Sequence, residues 1–277
     1  SEKRGGSRLL VMDRATGSLE HSMTSELARF VPAGTLMVFN DTRVRKARIY
    51  GQALDTGARV EFLLLSRVGP DLWEASCTKM KRQRPGRPYR FAEGLEAEIE
   101  GPHSGTDSGE GDQSTRFLRF SPPLTEDWLE RNGHIPLPPY IRRTDAVSDA
   151  ERYQTVFAKI TGSAASPTAG LHFTEALLAE LSDRGVEMAT VTLHVGLGTF
   201  LPVRTVEIED HPMHEEAWSV PAQTAEAVNR ARLEGRRVLA VGTTSLRTLE
   251  SAFARGDGSG SEGLRAGEGK TRIFIRP

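Results

Sequence analysis

Four of the seven histidines in this sequence, His172, His194, His211 and His214, fall in runs crowded by small, hydroxylated or acidic residues. An imidazole exchanges protons near neutral pH, so each is a candidate general acid or base. His172 closes the run Gly162–Thr174 (GSAASPTAGLHFT), whose small residues let backbone approach a ligand. Thr168 and Gly170 lie inside it, and Thr174 followed by Glu175 has the form of a helix N-cap, where free N–H groups suit an anion or carboxylate. A plain loop entering a helix would look the same. His194 lies in Thr192–Phe200 (TLHVGLGTF) with Gly198 and Thr199, a glycine-rich turn after a strand, where an open α/β sheet receives its ligand. Leu201 stands where a dinucleotide fingerprint needs its third glycine, which argues against a dinucleotide fold. His211 and His214 lie in Asp210–Glu216 (DHPMHEE). With Glu216 they suggest zinc as an alternative, but a His-x-x-His spacing broken by proline lacks helical i, i+4 geometry, and no metal is expected. The run Val241–Glu250 (VGTTSLRTLE) brings Thr243, Thr244 and Ser245 to a strand-to-helix junction as ligand donors. Arg247 and Glu250 are three apart on one helix face, the spacing of an internal ion pair. There is no Walker lysine, which disfavours a nucleoside triphosphate.

Basic residues gather in three places: Arg43, Arg45, Lys46 and Arg48; Lys79, Lys81, Arg82, Arg84, Arg87 and Arg90; and Arg142–Arg143 beside Tyr140. Such clusters bind phosphate backbones, with aromatic rings to stack on splayed bases, although solvated surface is the usual explanation for charge runs. The net charge of −1 makes their distribution more informative than their sum. Hydrophobic residues at 38% and charged residues at 26% are those of a globular chain able to bury a core. The single cysteine, Cys77, excludes an internal disulfide and reads as an inert, half-buried thiol. No window resembles a membrane helix and no signal-peptide core follows the N-terminus, so a cytoplasmic protein, a monomer with no membrane partner, is expected.

The elements that must position these groups change character along the chain. Strands are expected at 7–13 and 19–21, a short helix at 25–30, and a strand covered on both faces at 35–40, after which the polar motif Asn40–Val44 (NDTRV) begins. From 47 to 120 short strands alternate with turns, at 48–52, 59–66, 72–78, 89–91, 95–100 and 115–120, the pattern of an antiparallel barrel, interrupted by a Gly/Ser/Asp-rich loop at 101–115. Beyond a short helix at 125–130 the chain turns α/β: helices 174–184, 222–234 and 245–254, strands 187–193 and 238–241, a soft linker at 255–270 and a last strand at 272–275. The expected fold is a mixed-sheet α/β domain (1–47 and 122–277) with an inserted antiparallel β-barrel domain (48–121).

Eight segments, in order, resemble one family nearly end to end: SRLLV from Ser7, NDTRV from Asn40, HIPLPPYI from His134, ERYQTV from Glu151, PTAGLHFT from Pro167, TLHVGLGTF from Thr192, HPMH from His211 and VGTTSLRTLE from Val241. The sequence is thereby similar to the S-adenosylmethionine:tRNA ribosyltransferase-isomerases of queuosine biosynthesis. The resemblance implies transfer and isomerisation of the ribosyl group of S-adenosylmethionine, a co-substrate, onto the 7-aminomethyl-7-deazaguanine at the wobble position of tRNA. Epoxyqueuosine, adenine and methionine would be the products. It also implies an α/β domain carrying an inserted barrel. On that reading His172 and His194, with His211 and His214 as alternates, are the catalytic candidates. Thr168, Gly170, Gly198, Thr199, Thr243, Thr244 and Ser245 would contact the donor. Asp41, Arg43, Arg45, Lys79, Lys81, Arg82, Tyr140, Arg142 and Arg247 would contact tRNA. Other readings are a metal-dependent hydrolase built on His211, His214 and Glu216, or a non-catalytic RNA-binding module. The family pattern begins with a proline-containing stretch before Ser7 and continues past 273–275 with a Gly-Tyr turn and a Thr-Asn-Phe-His-Leu-Pro segment. If that tail contributes to the donor site, the chain ending at Pro277 is expected to fold without being active. Ser166 stands where the pattern has alanine or another small residue.

Overall fold

The computed structural model describes residues 4–101, 115–138, 141, 143, 145–196, 213, 215–254 and 262–275. The chain forms two compact units, one of residues 1–44 and 152–277, the other of residues 45–151. The first begins with a hairpin of β1 (Arg8–Met12) and β2 (Leu19–Met23), a short 3-10 helix, and then β3 (Leu36–Asn40) and β4 (Thr42–Val44).

In the second unit β5 (Arg48–Ala53), β6 (Arg59–Arg67), β7 (Leu72–Cys77), β8 (Pro88–Arg90), β9 (Glu96–Glu100) and β10 (Arg116–Ser121) close an antiparallel barrel in the order β10-β7-β6-β5-β8-β9. Period-two alternation sends Ile49 and Ala53, Val60, Phe62 and Leu64, Ala97 and Ile99, and Leu118 and Phe120 inward. A helix, α1 (Glu126–Asn132), starts at Thr125, whose hydroxyl accepts from the Trp128 backbone N–H at 3.2 Å. Trp128 and Leu129 belong to the barrel's core, so this helix packs with the barrel unit, whereas the sequence grouped residues beyond 122 with the α/β part. The four-residue α2 (Asp149–Arg152) follows.

The chain then supplies β11 (Ile160–Ser163), α3 (Glu175–Asp183), β12 (Glu187–Leu193), β13 (Glu216–Val220), α4 (Ala222–Leu233), β14 (Val238–Ala240), α5 (Gly242–Ala252), the short pair β15 (Phe253–Ala254) and β16 (Gly263–Leu264), and β17 (Gly267–Thr271). Five strands make one mixed sheet in the order β14-β3-β12-β13-β17, parallel from β14 to β12 and antiparallel beyond. Every residue of β3 is buried because helices cover both faces. Leu36 and Val38 pack with Val228 and Ala231 of α4 and Ala252 of α5, while Met37 and Phe39 pack with Leu177 and Leu181 of α3. Thr174 caps α3 by accepting from Leu177 N–H at 3.1 Å, and Gly185, at φ 80°, ends it.

Two expected elements are corrected. The helix placed at 245–254 starts at Gly242, so the hydroxyls thought to precede it lie in its first turn. The last strand is Gly267–Thr271 rather than 272–275: pairing with β13, from Val220 opposite Gly267 to Glu216 opposite Thr271, overrides the poor strand propensity of GEGKT. Ile273, Phe274 and Ile275 are instead partly exposed coil.

Candidate functional site

The parallel strands β3 and β12 end together, and polar side chains there hold the backbone where the ladder stops. Asn40, the last residue of β3, pairs with Leu193 as a strand would: its Nδ2 donates to Leu193 O at 3.0 Å and its Oδ1 accepts from Leu193 N–H at 3.0 Å. The same oxygen accepts from Thr42 N–H at 3.1 Å, which turns the chain into β4. Asp41 is buried and accepts the Thr192 hydroxyl at 2.7 Å. Its backbone N–H donates to Val191 O at 2.9 Å. Thr42, fully buried, meets the half-buried His194 ring through a 2.8 Å contact from Oγ1 to Nδ1.

β11 runs parallel to β4 and brings the small-residue run alongside. A Cβ on Gly162 would lie 2.6 Å from Cε1 of His194 and 2.8 Å from both ring nitrogens, so the imidazole occupies space that only glycine leaves. Ser163 donates to Ala165 O at 2.7 Å and accepts from Val195 N–H at 2.9 Å, tying the 163–166 loop to the residue after His194. At Gly196 the backbone N–H donates to Glu216 Oε1 at 3.0 Å, and the other oxygen of that buried carboxylate accepts from Arg247 at 2.5 Å. Buried charges persist when paired and hydrogen-bonded in this way.

The 3-10 turn Thr168–His172 packs on the start of α5: Gly242 takes φ 84°, and a Cβ there would come within 3.0 Å of the Ala169 Cβ. Gly170 is closed in by Phe157 and Thr155 at 2.7 Å from its would-be Cβ. Thr168, His172 and Thr243 are exposed and Thr244 half-buried, so the amino end of α5 and the turn together present hydroxyls and free N–H groups. Ser245 does not join them: it is fully buried and its hydroxyl donates to Val241 O at 2.9 Å, the i−4 back-bond open to serine in a helix. Arg247 pairs with Glu216, not with Glu250, because its helix face turns toward β13 and Glu216 offers a desolvated carboxylate. Asp41 likewise faces inward rather than toward a surface where tRNA would lie.

On the barrel unit Lys79, Lys81, Arg82 and Arg84 are exposed and have no carboxylate partner among the described residues. Arg87 and Arg90 of the same run are neutralised by Asp55 and Glu96, at 2.9 Å and 2.8 Å. Arg45 pairs with Glu126 at 2.9 Å and lies over the Trp73 ring, while Arg43, in the other unit, is exposed. Burial pushes the Cys77 thiol up to about 11, with Arg116 opposing. His211, His214, Gly198, Thr199, Tyr140 and Arg142 lie outside the described residues. Asn40, Thr42, Gly162 and Ser163 are the site residues that sequence reasoning passed over. A polar pair closing an apolar strand, followed later by Gly-Ser, was the available signal.

A family profile described as "Queuosine biosynthesis protein" matches residues 1–277. The chain is 48% identical over 280 residues to the S-adenosylmethionine:tRNA ribosyltransferase-isomerase of Treponema denticola, covering 100% of this chain and 78% of that one. Against the protein of the same name from Geobacter metallireducens the identity is 46%, covering 100% and 77%. For that of Clostridioides difficile it is 42%, again covering 100% and 77%. A crystal structure of an S-adenosylmethionine tRNA ribosyltransferase from Thermotoga maritima aligns at 28% identity with a TM-score of 0.42, covering 100% of this chain and 74% of that one.

Proposed function

The chain belongs to the queuosine biosynthesis protein family, and from that premise we propose that it transfers and isomerises the ribosyl group of S-adenosylmethionine onto 7-aminomethyl-7-deazaguanine at the wobble position of tRNA. Epoxyqueuosine, adenine and methionine leave as products. The observation that carries the reading is the place of His194, held at the carboxyl ends of parallel strands by Thr42 and Gly162, where an α/β sheet takes its ligand.

The sulfonium of the donor draws electron density from the adjacent ribose C5′, so a positioned base can remove a proton there, and the departing adenine needs a donor. His172 and His194 are the described side chains suited to these tasks, and His211 and His214 complete the set. Thr168, Gly170, Thr243 and Thr244 would hold the donor, its carboxylate facing the free N–H groups at the start of α5. The exposed Lys79, Lys81, Arg82 and Arg84 would meet tRNA phosphates, with Arg43 nearer the site's own elements. The reading puts the reaction in the cytoplasm, with one chain as the working unit. Among the described residues no helix is long and apolar enough to cross a membrane. Among the described residues no observation favours the hydrolase reading, and both oxygens of Glu216 are engaged by Gly196 and Arg247.

The experiment is to incubate the chain with S-adenosylmethionine and follow free adenine with and without tRNA bearing the deazaguanine. Adenine should appear only with that tRNA, and His194→Ala should abolish it while tRNA binding persists. Methylated tRNA without adenine release would overturn the reading.

A further inference from the structure

Three carboxylates are buried among the described residues, those of Asp41, Asp149 and Glu216. Asp149 and Glu216 each face an arginine at 2.5 Å, Arg143 and Arg247 respectively. Asp41, 6% exposed, has no cationic side chain at ion-pair distance among those residues. Its Oδ1 accepts the Thr192 hydroxyl at 2.7 Å, a neutral donor that fixes the group without supplying charge. Its Oδ2 accepts from no described residue, yet it is not sealed from solvent. Burying an anion is costly unless a cation answers it. An open acceptor oxygen at the carboxyl end of a sheet is where such a cation arrives from outside. The Asp41 N–H bond to Val191 O continues the ladder of β3, and alternation puts the side chain with Met37 and Phe39 on the side that packs on α3. Ala169, from the turn Thr168–His172, packs on that same side, and Gly242 at the start of α5 packs on Ala169. Because β14 pairs in parallel with β3 and Val241 N–H donates to Val38 O, α5 starts one strand over from the end of β3.

We propose that Asp41 is a substrate-binding residue whose open carboxylate oxygen receives the sulfonium centre of S-adenosylmethionine. Charge and spacing both fit. The first turn of α5 offers backbone N–H groups without intrahelical partners, which suit the carboxylate of the donor. Three carbons separate that carboxylate from the sulfur, a reach of about 5 Å, which matches the roughly 4.8 Å between adjacent strands. The α-ammonium of the donor sits on the same carbon as its carboxylate and falls short of that distance. The positive charge on sulfur is lost when the bond to the ribose C5′ breaks and its electron pair stays on sulfur. The contact therefore holds the donor and weakens for the neutral thioether of methionine. This inference rests on the reading of the site as one for S-adenosylmethionine.

The test is calorimetric titration of the whole 277-residue chain in the presence of tRNA with ordinary guanine at the wobble position, so that nothing turns over. The probes are S-adenosylmethionine, sinefungin, in which a carbon bearing an ammonium replaces the sulfonium, and S-adenosylhomocysteine, whose thioether is neutral. The wild type should bind the two cationic probes on the order of ten- to a hundredfold more tightly than the thioether. Asp41→Asn keeps an oxygen for the Thr192 hydroxyl and removes the charge, and in it the three affinities should converge. Without ligand, Asp41→Asn should resist denaturant at least as well as the wild type, because it discards a buried charge that no described cation answers. Equal wild-type affinity for S-adenosylmethionine and the thioether would overturn the inference, and that comparison stands even if Asp41→Asn does not fold. An Asp41→Asn chain that keeps the wild-type preference would overturn it as well. A lower denaturant midpoint in Asp41→Asn would do the same, since the fold itself would then use the charge. If Asp41→Asn weakens all three probes equally, the carboxylate meets the α-ammonium instead and the inference fails. Binding of none of the probes by the wild type would remove the donor from the site, a failure of the underlying reading that the other outcomes do not share.

Discussion

The barrel unit and the α/β unit solve opposite problems with their polar residues. Among the described residues, the buried polar and charged side chains of the whole chain fall in the α/β unit, with Gln83 and Asp149 the exceptions. The barrel buries apolar side chains by simple alternation and leaves its charge outside, where Lys79, Lys81, Arg82 and Arg84 stand without acidic partners among the described residues. The α/β unit turns Asn40, Asp41, Thr42, Ser163, Thr192 and Glu216 inward, each engaged in a hydrogen bond. A dry core needs little beyond volume and pattern, and its outer face is free to carry charge for a polyanion. A reaction site needs backbone held at strand ends, and buried hydrogen bonds supply that stiffness at the cost of desolvating each partner.

Breaking one inward polar group should therefore damage one unit selectively. Asn40→Ala leaves Leu193 N–H and O and Thr42 N–H without their partner, each a loss of roughly 1–3 kcal/mol when buried. Denaturant midpoints should fall strongly when followed at Trp218 in the α/β unit and much less when followed at Trp73 and Trp128 in the barrel. An equal fall in both would show that the contrast does not reach stability. The next effect is on binding. Replacing Lys79, Lys81, Arg82 and Arg84 by alanine should leave both midpoints unchanged and lower the salt dependence of tRNA binding by about one unit of log–log slope for each phosphate no longer neutralised. An unchanged slope would move the tRNA surface off this face. The smallest effect belongs to Cys77. Its folded pKa of about 11 stands above the 9.0 of a free thiol, so the native thiol stays protonated while the unfolded one ionises. Alkylation should be slow up to about pH 9, and barrel stability should decline as pH rises from about 9 toward 11. Fast alkylation at pH 8 would place the thiol outside the barrel's dry region.

The barrel was legible because its signal is local: period-two alternation between turn residues, seen in β5 and β6, states which side chains point inward before any partner is known. The site was legible only in its ingredients. His194, Gly162 and the Asn40–Val44 motif could each be picked out as polar or small residues beside strands, yet nothing in their spacing says that residues 40–42, 162–163 and 192–196 meet. Arg247 shows the limit most plainly. Sequence spacing offered Glu250, three residues away, and the fold supplied Glu216, thirty-one residues away, because helix α5 turns that face to β13.

What the sequence determined by itself is the family, the α/β and barrel patterns and the residue types on hand for proton transfer, since motif order and hydrophobic period are properties of the chain alone. What only the tertiary structure decided is which group each polar side chain answers to: Asn40 to the Leu193 backbone, Asp41 to Thr192, Thr42 to His194, Glu216 to Arg247. Those pairings cross more than a hundred residues for the first three, and a buried polar atom takes as partner whatever the packing of β3 against β12 brings within about 3 Å.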